Sequence, residues 1–311
     1  MSRREINIVR PAHLSVMRQE VIEYICLSSA GQYLDGTFGY GGHAEALLAA
    51  GAGQVLGLDQ DQSALDAYRD TGSARHDPRL QLRHGRFSNV EEFTKLRDWD
   101  GAIIDLGPNS GQLLTAERGF SFSVSGPLDM RMDQSGGVPL EQCLRGHDAT
   151  SLADALYEAT GMRDSRRVAR RILGAFEAGE LTTTEDLAKL AGPRRGKTHP
   201  ATEWFLGLRM VVNDELGEIR RGIPALLRCL KPGGRLGVIT FHSTEDRVVK
   251  QLFKLLAGRC VCEERLCRCP RVETIRWVNR KPLEPSEDEL RRNPRARSAK
   301  FRCVEKLAPQ A

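Results

Sequence analysis

The sequence has no apolar run of about 18 residues or more, which excludes a membrane-spanning helix. It has no apolar core behind its charged first residues, Met1-Ser-Arg-Arg-Glu-Ile-Asn, so a secretory signal is not expected and a cytoplasmic location is the default. Internal repeats and low-complexity segments are absent. The charge is only mildly lopsided, at +5 with a pI near 8.8, and the total alone barely favours a nucleic-acid partner. Between residues 113 and 200 no clear strand pattern occurs, although strands alternate with helices before that stretch. At 311 residues with 40% apolar content, the chain can hold one large domain carrying an insertion.

The organising stretch is Gln32-Tyr-Leu-Asp-Gly-Thr-Phe-Gly-Tyr-Gly-Gly-His43. Tyr33 and Leu34 end a buried strand. Gly36, Gly39, Gly41 and Gly42 permit a tight turn in which backbone approaches a ligand. Helix formers follow from His43 to Ala50. A second strand, Gln54–Asp59, ends in an acid 18 residues after Gly41, close to the spacing at which a carboxylate reaches a ribose hydroxyl. Strands are also expected at Leu80–His84, Gly101–Leu106, Arg235–Phe241, Thr274–Val278 and Ala299–Val304. The fourth leads into Asp105-Leu-Gly-Pro-Asn-Ser-Gly-Gln112, another loop rich in polar groups.

Helices are expected at Arg18–Ser28, Gln62–Arg69 and Asn89–Leu96, the last with Ser88 as N-cap. The stretch 113–202 reads as a helical insertion with helices at Ser151–Glu158, Arg163–Glu177 and Thr184–Leu190. One long helix is expected from Trp204 to Leu230, kinked or divided at Pro224. Lys231-Pro-Gly-Gly234 reads as a turn, residues 1–12 as a tail, and Ser243 as the N-cap of a later helix. The domain scheme is thus 1–112 with 203–311 for the α/β sheet, and 113–202 for a helical unit suited to RNA.

The glycine turn only approximates a dinucleotide fingerprint: its four glycines miss the Gly-x-Gly-x-x-Gly spacing, and where pyrophosphate binding wants the turn to run directly into a helix N-terminus, an Asp-Gly-Thr-Phe-Gly segment comes first. Asp35-Gly-Thr, Asp59, Asp105 and the later Lys-Pro-Gly-Gly-Arg-Leu resemble class I S-adenosylmethionine-dependent methyltransferases. That cofactor has no phosphate. It needs close backbone, an acid for its ribose and apolar walls for adenine; Asp59 and Phe87 suit the last two roles.

Seven motifs stand in order: Asp35-Gly-Thr-Phe-Gly-x-Gly-Gly-His43, Arg118-Gly-Phe-Ser-Phe122, Gly126-Pro-Leu-Asp-Met-Arg-Met-Asp133, His199-Pro-Ala-Thr202, Val212-Asn-Asp-Glu-Leu216, Phe241-His-Ser-x-Glu-Asp-Arg247 and Asn293-Pro-Arg-Ala-Arg-Ser298. Together they resemble the ribosomal small-subunit RNA methyltransferase H family (RsmH, formerly MraW) from His13 onward. The resemblance implies a Rossmann-like sheet with an inserted helical domain, and N4-methylation of one decoding-centre cytidine in 16S rRNA. It also implies S-adenosyl-L-methionine as cofactor, held by Gly41, Gly42, His43, Asp59, Phe87, Asp105 and Gln112. The partner would be 16S rRNA or the small ribosomal subunit; the oligomeric state, a homodimer included, is left open. Three places depart from the family pattern: Asn109-Ser110 in place of Ser-Ser, Glu203 in place of a basic residue, and Thr160-Gly-Met-Arg163 in place of Tyr-Gly-Glu-Glu. All three concern the RNA-facing side. They keep open a methyltransferase diverged toward another acceptor, or a non-catalytic rRNA-binding assembly factor.

Chemically, the cytosine amine is a poor nucleophile, and an acceptor at N4 would orient its lone pair and take the departing proton. Asp105 is the candidate, with Asn109 and Ser110 orienting the base. The base itself must be extruded and held against flat groups. Phe120, Phe122 and Phe241 are candidates, each of which would serve equally as a core residue. His242 reads equally as a backbone cap or a substrate contact. Arg163, Arg166, Arg167, Arg170 and Arg171 recur at helical spacing beside a single acid, Asp164, and form an RNA-facing candidate. Arg291, Arg292, Arg295, Arg297 and Lys300 form a second basic cluster. Cys260, Cys262, Cys267 and Cys269 could surround a zinc ion, but the spacing is tighter than Cys-x₂-Cys and no histidine lies near, so free thiols are the reading adopted and no metal is expected. Cys26, Cys143, Cys229 and Cys303 read as small buried apolar residues.

Overall fold

The computed structural model describes residues 15–95, 97–194, 196, 198–262 and 271–309. The expected tail at 1–12 lies outside the described residues, as do Leu96, Cys267 and Cys269. The chain begins α1 (Arg18–Ile25), β1 (Gln32–Asp35), α2 (Gly42–Ala49), β2 (Gln54–Asp59), α3 (Gln62–Thr71), β3 (Leu80–His84), α4 (Val90–Phe93), β4 (Trp99–Asp105) and α5 (Ser110–Leu114). Five helices follow: α6 (Leu140–Arg145), α7 (Ala149–Thr160), α8 (Ser165–Glu177), α9 (Thr184–Ala191) and α10 (Ala201–Asn213). The sheet then resumes with α11 (Glu215–Cys229), β5 (Leu230–Thr240), α12 (Ser243–Leu256), β6 (Ile275–Trp277), α13 (Glu287–Arg292) and β7 (Lys300–Lys306).

The seven strands lie in the order β3-β2-β1-β4-β5-β7-β6. The first five run parallel, while β7 is antiparallel to both β5 and β6. Parallel strands buried on both faces need continuous apolar runs, and β4 is buried from Trp99 to Ile104. One face packs Leu34, Leu56, Ile104 and Val238 beneath α11 and α12. The other packs Tyr33, Val55, Ile103 and Phe301 beneath α1 and α2. The strand order reverses between β1 and β4, and in an open α/β sheet ligands bind beyond the carboxyl ends at such a point.

Several expected boundaries move. The long helix breaks at Asp214, not at Pro224, which sits inside α11. Asp214 takes a left-handed conformation, φ 49°, ending α10 and starting α11. The apolar period runs unbroken across that residue, so periodicity could not reveal it. Helix α10 also belongs to the insertion: Trp204, Phe205 and Leu208 share a core with Leu128, Leu156 and Ile172. The helical unit therefore extends past residue 202. Ser88 does not cap a helix; it sits in a 3-10 turn (Phe87–Asn89), and its N–H and hydroxyl donate to Glu218 at 2.9 and 2.8 Å. His242, rather than Ser243, caps α12, with the buried Glu245 accepting from the Phe241 N–H at 2.8 Å. Lys231–Gly234 bulges out inside β5, since Trp99 pairs with Leu230 but Gly101 pairs with Arg235. Helix α6 was not expected.

Candidate functional site

The β1–α2 turn needs its glycines. Gly39 and Gly41 have φ of 52° and 82°, left-handed values that favour glycine. A Cβ on Gly41 would meet the Tyr68 ring at 2.4 Å, so its close packing is internal. A Cβ on Gly39 would meet only Asn109, at 4.0 Å, and one on Gly107 (φ 103°) only Phe241, at 3.9 Å. These two loops leave open space beside bare backbone, a cradle in which a ligand can approach the main chain.

Three carboxylates gather there from the ends of three strands. Asp35 ends β1 and is buried, with Oδ2 unbonded; its Oδ1 accepts from the Thr37 N–H at 3.3 Å. Burial pushes it up to about 6. Asp59 ends β2 and accepts from the N–H groups of Gly39 (2.5 Å) and Asp61 (2.8 Å). Burial outweighs these bonds and pushes it up to about 7. Asp105 ends β4 and places Oδ2 3.5 Å from His43 Nε2, while its Oδ1 is buried and unbonded. The Asp105 N–H donates to Thr37 Oγ1 at 2.6 Å. Burial pulls the His43 imidazole down, but the adjacent carboxylates of Asp105 and Asp35 outweigh it and its pKa rises. His43 thus lies between two acids that favour its protonated form.

Beside this trio lies a second cluster centred on Asp61, which the sequence reading overlooked. Its Oδ2 accepts from Gln112 Nε2 (2.8 Å) and Arg118 Nη1 (2.9 Å), and its Oδ1 from the Ser63 N–H, capping α3. Arg118 also donates to the carbonyls of Arg131 and Met132. The cue was an aspartate one residue before a helix. For Arg118 the only cue was its place in a quoted motif. Asn213, likewise missed, receives the Met132 N–H at 2.7 Å and donates to the Met130 carbonyl at 2.8 Å. Together Arg118 and Asn213 hold the Gly126–Asp133 loop of the insertion against the sheet end.

The remaining candidates separate. Gln112 and Asn109 form a reciprocal cap on α5, and Asn109 Nδ2 lies 3.4 Å from Asp61, so both amides are engaged within the protein. Ser110 is buried, and its hydroxyl accepts from Arg295 Nη1 at 2.6 Å. Gly42 opens α2 against Ser15. Phe87 is wedged in the core, its Cβ against Gly36 and its ring against Gly222, so it lies deeper than a free wall would. Phe122, half-buried, packs on His199 and Phe205 within the insertion, as a core residue would. Phe120 is buried beside Arg118, while Phe241 lies half-buried next to Gly107. His242 caps α12 through Nδ1, which accepts from the Glu245 N–H at 3.5 Å, while its Nε2 lies 2.8 Å from the Glu245 carboxylate.

Arg163, Arg166, Arg167, Arg170 and Arg171 are all exposed, with Val168, Ile172 and Leu173 turned into the helical core. Arg167 pairs with Asp164, and Arg171 donates to the Leu190 carbonyl. Glu203 is exposed in the first turn of α10, where the helix dipole favours an acid, so its reversed charge costs the fold nothing visible. Cys229 and Cys303 are buried as expected, while Cys26 and Cys143 are only half-buried. Among the described residues no group of three or more His, Cys, Asp or Glu side chains could hold a metal.

A sheet of this order, with acids closing β1, β2 and β4 around a glycine bend, defines a class I methyltransferase of the Rossmann-like type. Residues 10–307 match the family model described as the MraW methylase family. Curated relatives named ribosomal RNA small subunit methyltransferase H include one from Magnetococcus marinus, 42% identical over 95% of this chain and 99% of its own. Another, from Paenibacillus sp., is 38% identical over 95% and 99%. A third, from Nitratidesulfovibrio vulgaris, is 41% identical over 99% and 100%. The chain belongs to the MraW methylase family.

Proposed function

We propose that this chain uses S-adenosyl-L-methionine to methylate the exocyclic N4 of a decoding-centre cytidine in 16S rRNA. The observation that carries the reading is the charge of the site. Asp59 and Asp105 end their strands at the cradle with the buried Asp35 behind them, His43 lies 3.5 Å from Asp105, and Arg118 is already bonded to Asp61. A pyrophosphate would meet like charge there. A cationic sulfonium bearing an ammonium group fits, and a vicinal diol can donate to Asp59, whose oxygens keep lone pairs beyond their two backbone bonds. The carboxylates and the open backbone at Gly39 and Gly107 therefore suit this cofactor.

Bound there, the cofactor supplies an activated methyl group, so the protein's task is geometry and proton removal. Asp59 and the glycine bend hold the nucleoside. Thr37 and His43 fix Asp105 from its N–H and its Oδ2, and its carboxylate is the acceptor for the proton that leaves the amine. Phe241 beside Gly107 offers a flat surface for an extruded base. Asn109 and Ser110 act by keeping α5 and Arg295 in place. Purified protein, labelled cofactor and small subunits lacking the modification test this reading. Nucleoside mass spectrometry should find N4-methylcytidine in 16S rRNA; label in another nucleoside, or in protein, would favour the diverged acceptor. Cofactor binding without any transfer would favour an assembly factor.

A further inference from the structure

The C-terminal basic cluster reaches the sheet end in one place. Strand β7 runs antiparallel to β5, with Lys300 opposite Thr240, so the chain entering β7 lies at the edge where β4 and β5 finish. The segment before it is a 3-10 turn, Pro294–Ser298. It is pinned from below by Ala296 and Ala299, both buried in the core that holds Ile239 and Phe301. Helix α13, just upstream, is tied to the N-terminal part of the chain by Glu289, which accepts from the Met17 N–H at 2.7 Å. An exposed arginine on such an anchored turn loses little freedom when it grips a ligand.

Arg295 is that arginine. Its Nη1 donates to Ser110 Oγ, 185 residues away in sequence, at the start of the helix that follows Asp105. Among the described residues it has no carboxylate partner, whereas Arg291 pairs with Asp288 one turn upstream. Arg297, exposed two residues on, makes no ion pair among them either. A guanidinium carries five N–H donors in a fork that matches a phosphate. Arg295 uses one on Ser110 and keeps the rest, within reach of the loop next to the proton acceptor.

We infer that Arg295 binds the phosphodiester of the acceptor nucleotide and, through Ser110, fixes that phosphate relative to Asp105. This rests on the functional reading above and adds to it the anchor for the extruded nucleotide. Backbone contacts set register, so one phosphate clamp beside the reacting base would orient N4 without reading sequence.

The experiment compares wild type with Arg295→Ala, measuring binding of a small-subunit rRNA fragment across salt concentrations and binding of S-adenosylhomocysteine. Loss of one phosphate contact should lower the slope of log affinity against log salt by about 0.7 and raise KM for the RNA about tenfold. The affinity for S-adenosylhomocysteine should stay unchanged. If the alanine variant does not fold, Arg295→Lys should keep the salt slope yet raise KM, because a point charge replaces the fork. An unchanged slope and KM in the alanine variant would overturn the proposal. So would weaker S-adenosylhomocysteine binding with an unchanged slope, which would place the cofactor's own carboxylate on Arg295. Wild-type protein that binds the fragment but transfers no methyl would defeat the functional reading and leave the slope comparison standing.

Discussion

At the sheet end, the charged groups around Asp61 are buried and bonded to one another; along α8, Arg166 and Arg170 stand in solvent and make no ion pair among the described residues. The difference fits the two roles proposed for them, a cofactor at the sheet end and RNA along α8. A small cofactor is gripped from all sides, and its contacts must be fixed before it arrives, so the supporting polar groups are sequestered from water. A long polyanion is met over a wide face, where screened, mobile charges suffice and counterion release supplies the affinity. The same residue type is thus built into the scaffold at Arg118 and left in solvent at Arg170, where we propose that it meets RNA.

The largest expected effect breaks the scaffold side. Arg118→Ala leaves Asp61 a buried, unpaired charge and should cost about 3–5 kcal/mol in urea unfolding. A loss under about 1 kcal/mol would show that Arg118 acts as a contact rather than a support. Next, Asp59→Ala removes a charged acceptor and should weaken S-adenosylhomocysteine binding in calorimetry by about 1.5–3 kcal/mol.

A pH series sharpens the contrast further. Asp35 and Asp59 titrate at about 6 and about 7 in the folded chain, against 3.8 ordinarily. Between those limits the folded state binds more protons than the unfolded one, so their contribution to stability falls as pH rises. Asp59→Asn removes part of that fall, and its stability relative to wild type should increase from about pH 5 to 7 in paired urea titrations. A flat difference would mean that Asp59 is ionised throughout. The smallest effect on stability belongs to the exposed face: Arg166→Glu with Arg170→Glu should leave unfolding within about 0.5 kcal/mol per site. It should nevertheless reduce rRNA affinity and its salt slope, read by a filter-binding titration of an rRNA fragment across salt concentrations.

Much of this was legible beforehand. The glycine bend, the acids closing β1, β2 and β4, and the helical face of α8 follow from strand ends, turn residues and periodicity, all of which are local. What escaped was non-local. Asp61, Arg118 and Asn213 matter because residues 57 to 83 positions apart meet, and no spacing rule announces that. The break at Asp214 was hidden because one residue in a left-handed conformation leaves the apolar period intact. The boundary at 202 fell short because α10 presents apolar residues on both sides, and only packing shows that Trp204 and Phe205 join the insertion. For Phe122 two readings stayed open because an aromatic in a loop motif looks alike whether it stacks on a base or on Phe205, and the structure shows the second contact.

A crystal structure of the chain with S-adenosylhomocysteine tests the central claim most directly. The ribose diol should lie within hydrogen-bond distance of Asp59, with the sulfur facing Asp105 across the Gly39–Gly107 opening. Ligand density elsewhere, or a nicotinamide dinucleotide occupying that cradle more tightly, would contradict it.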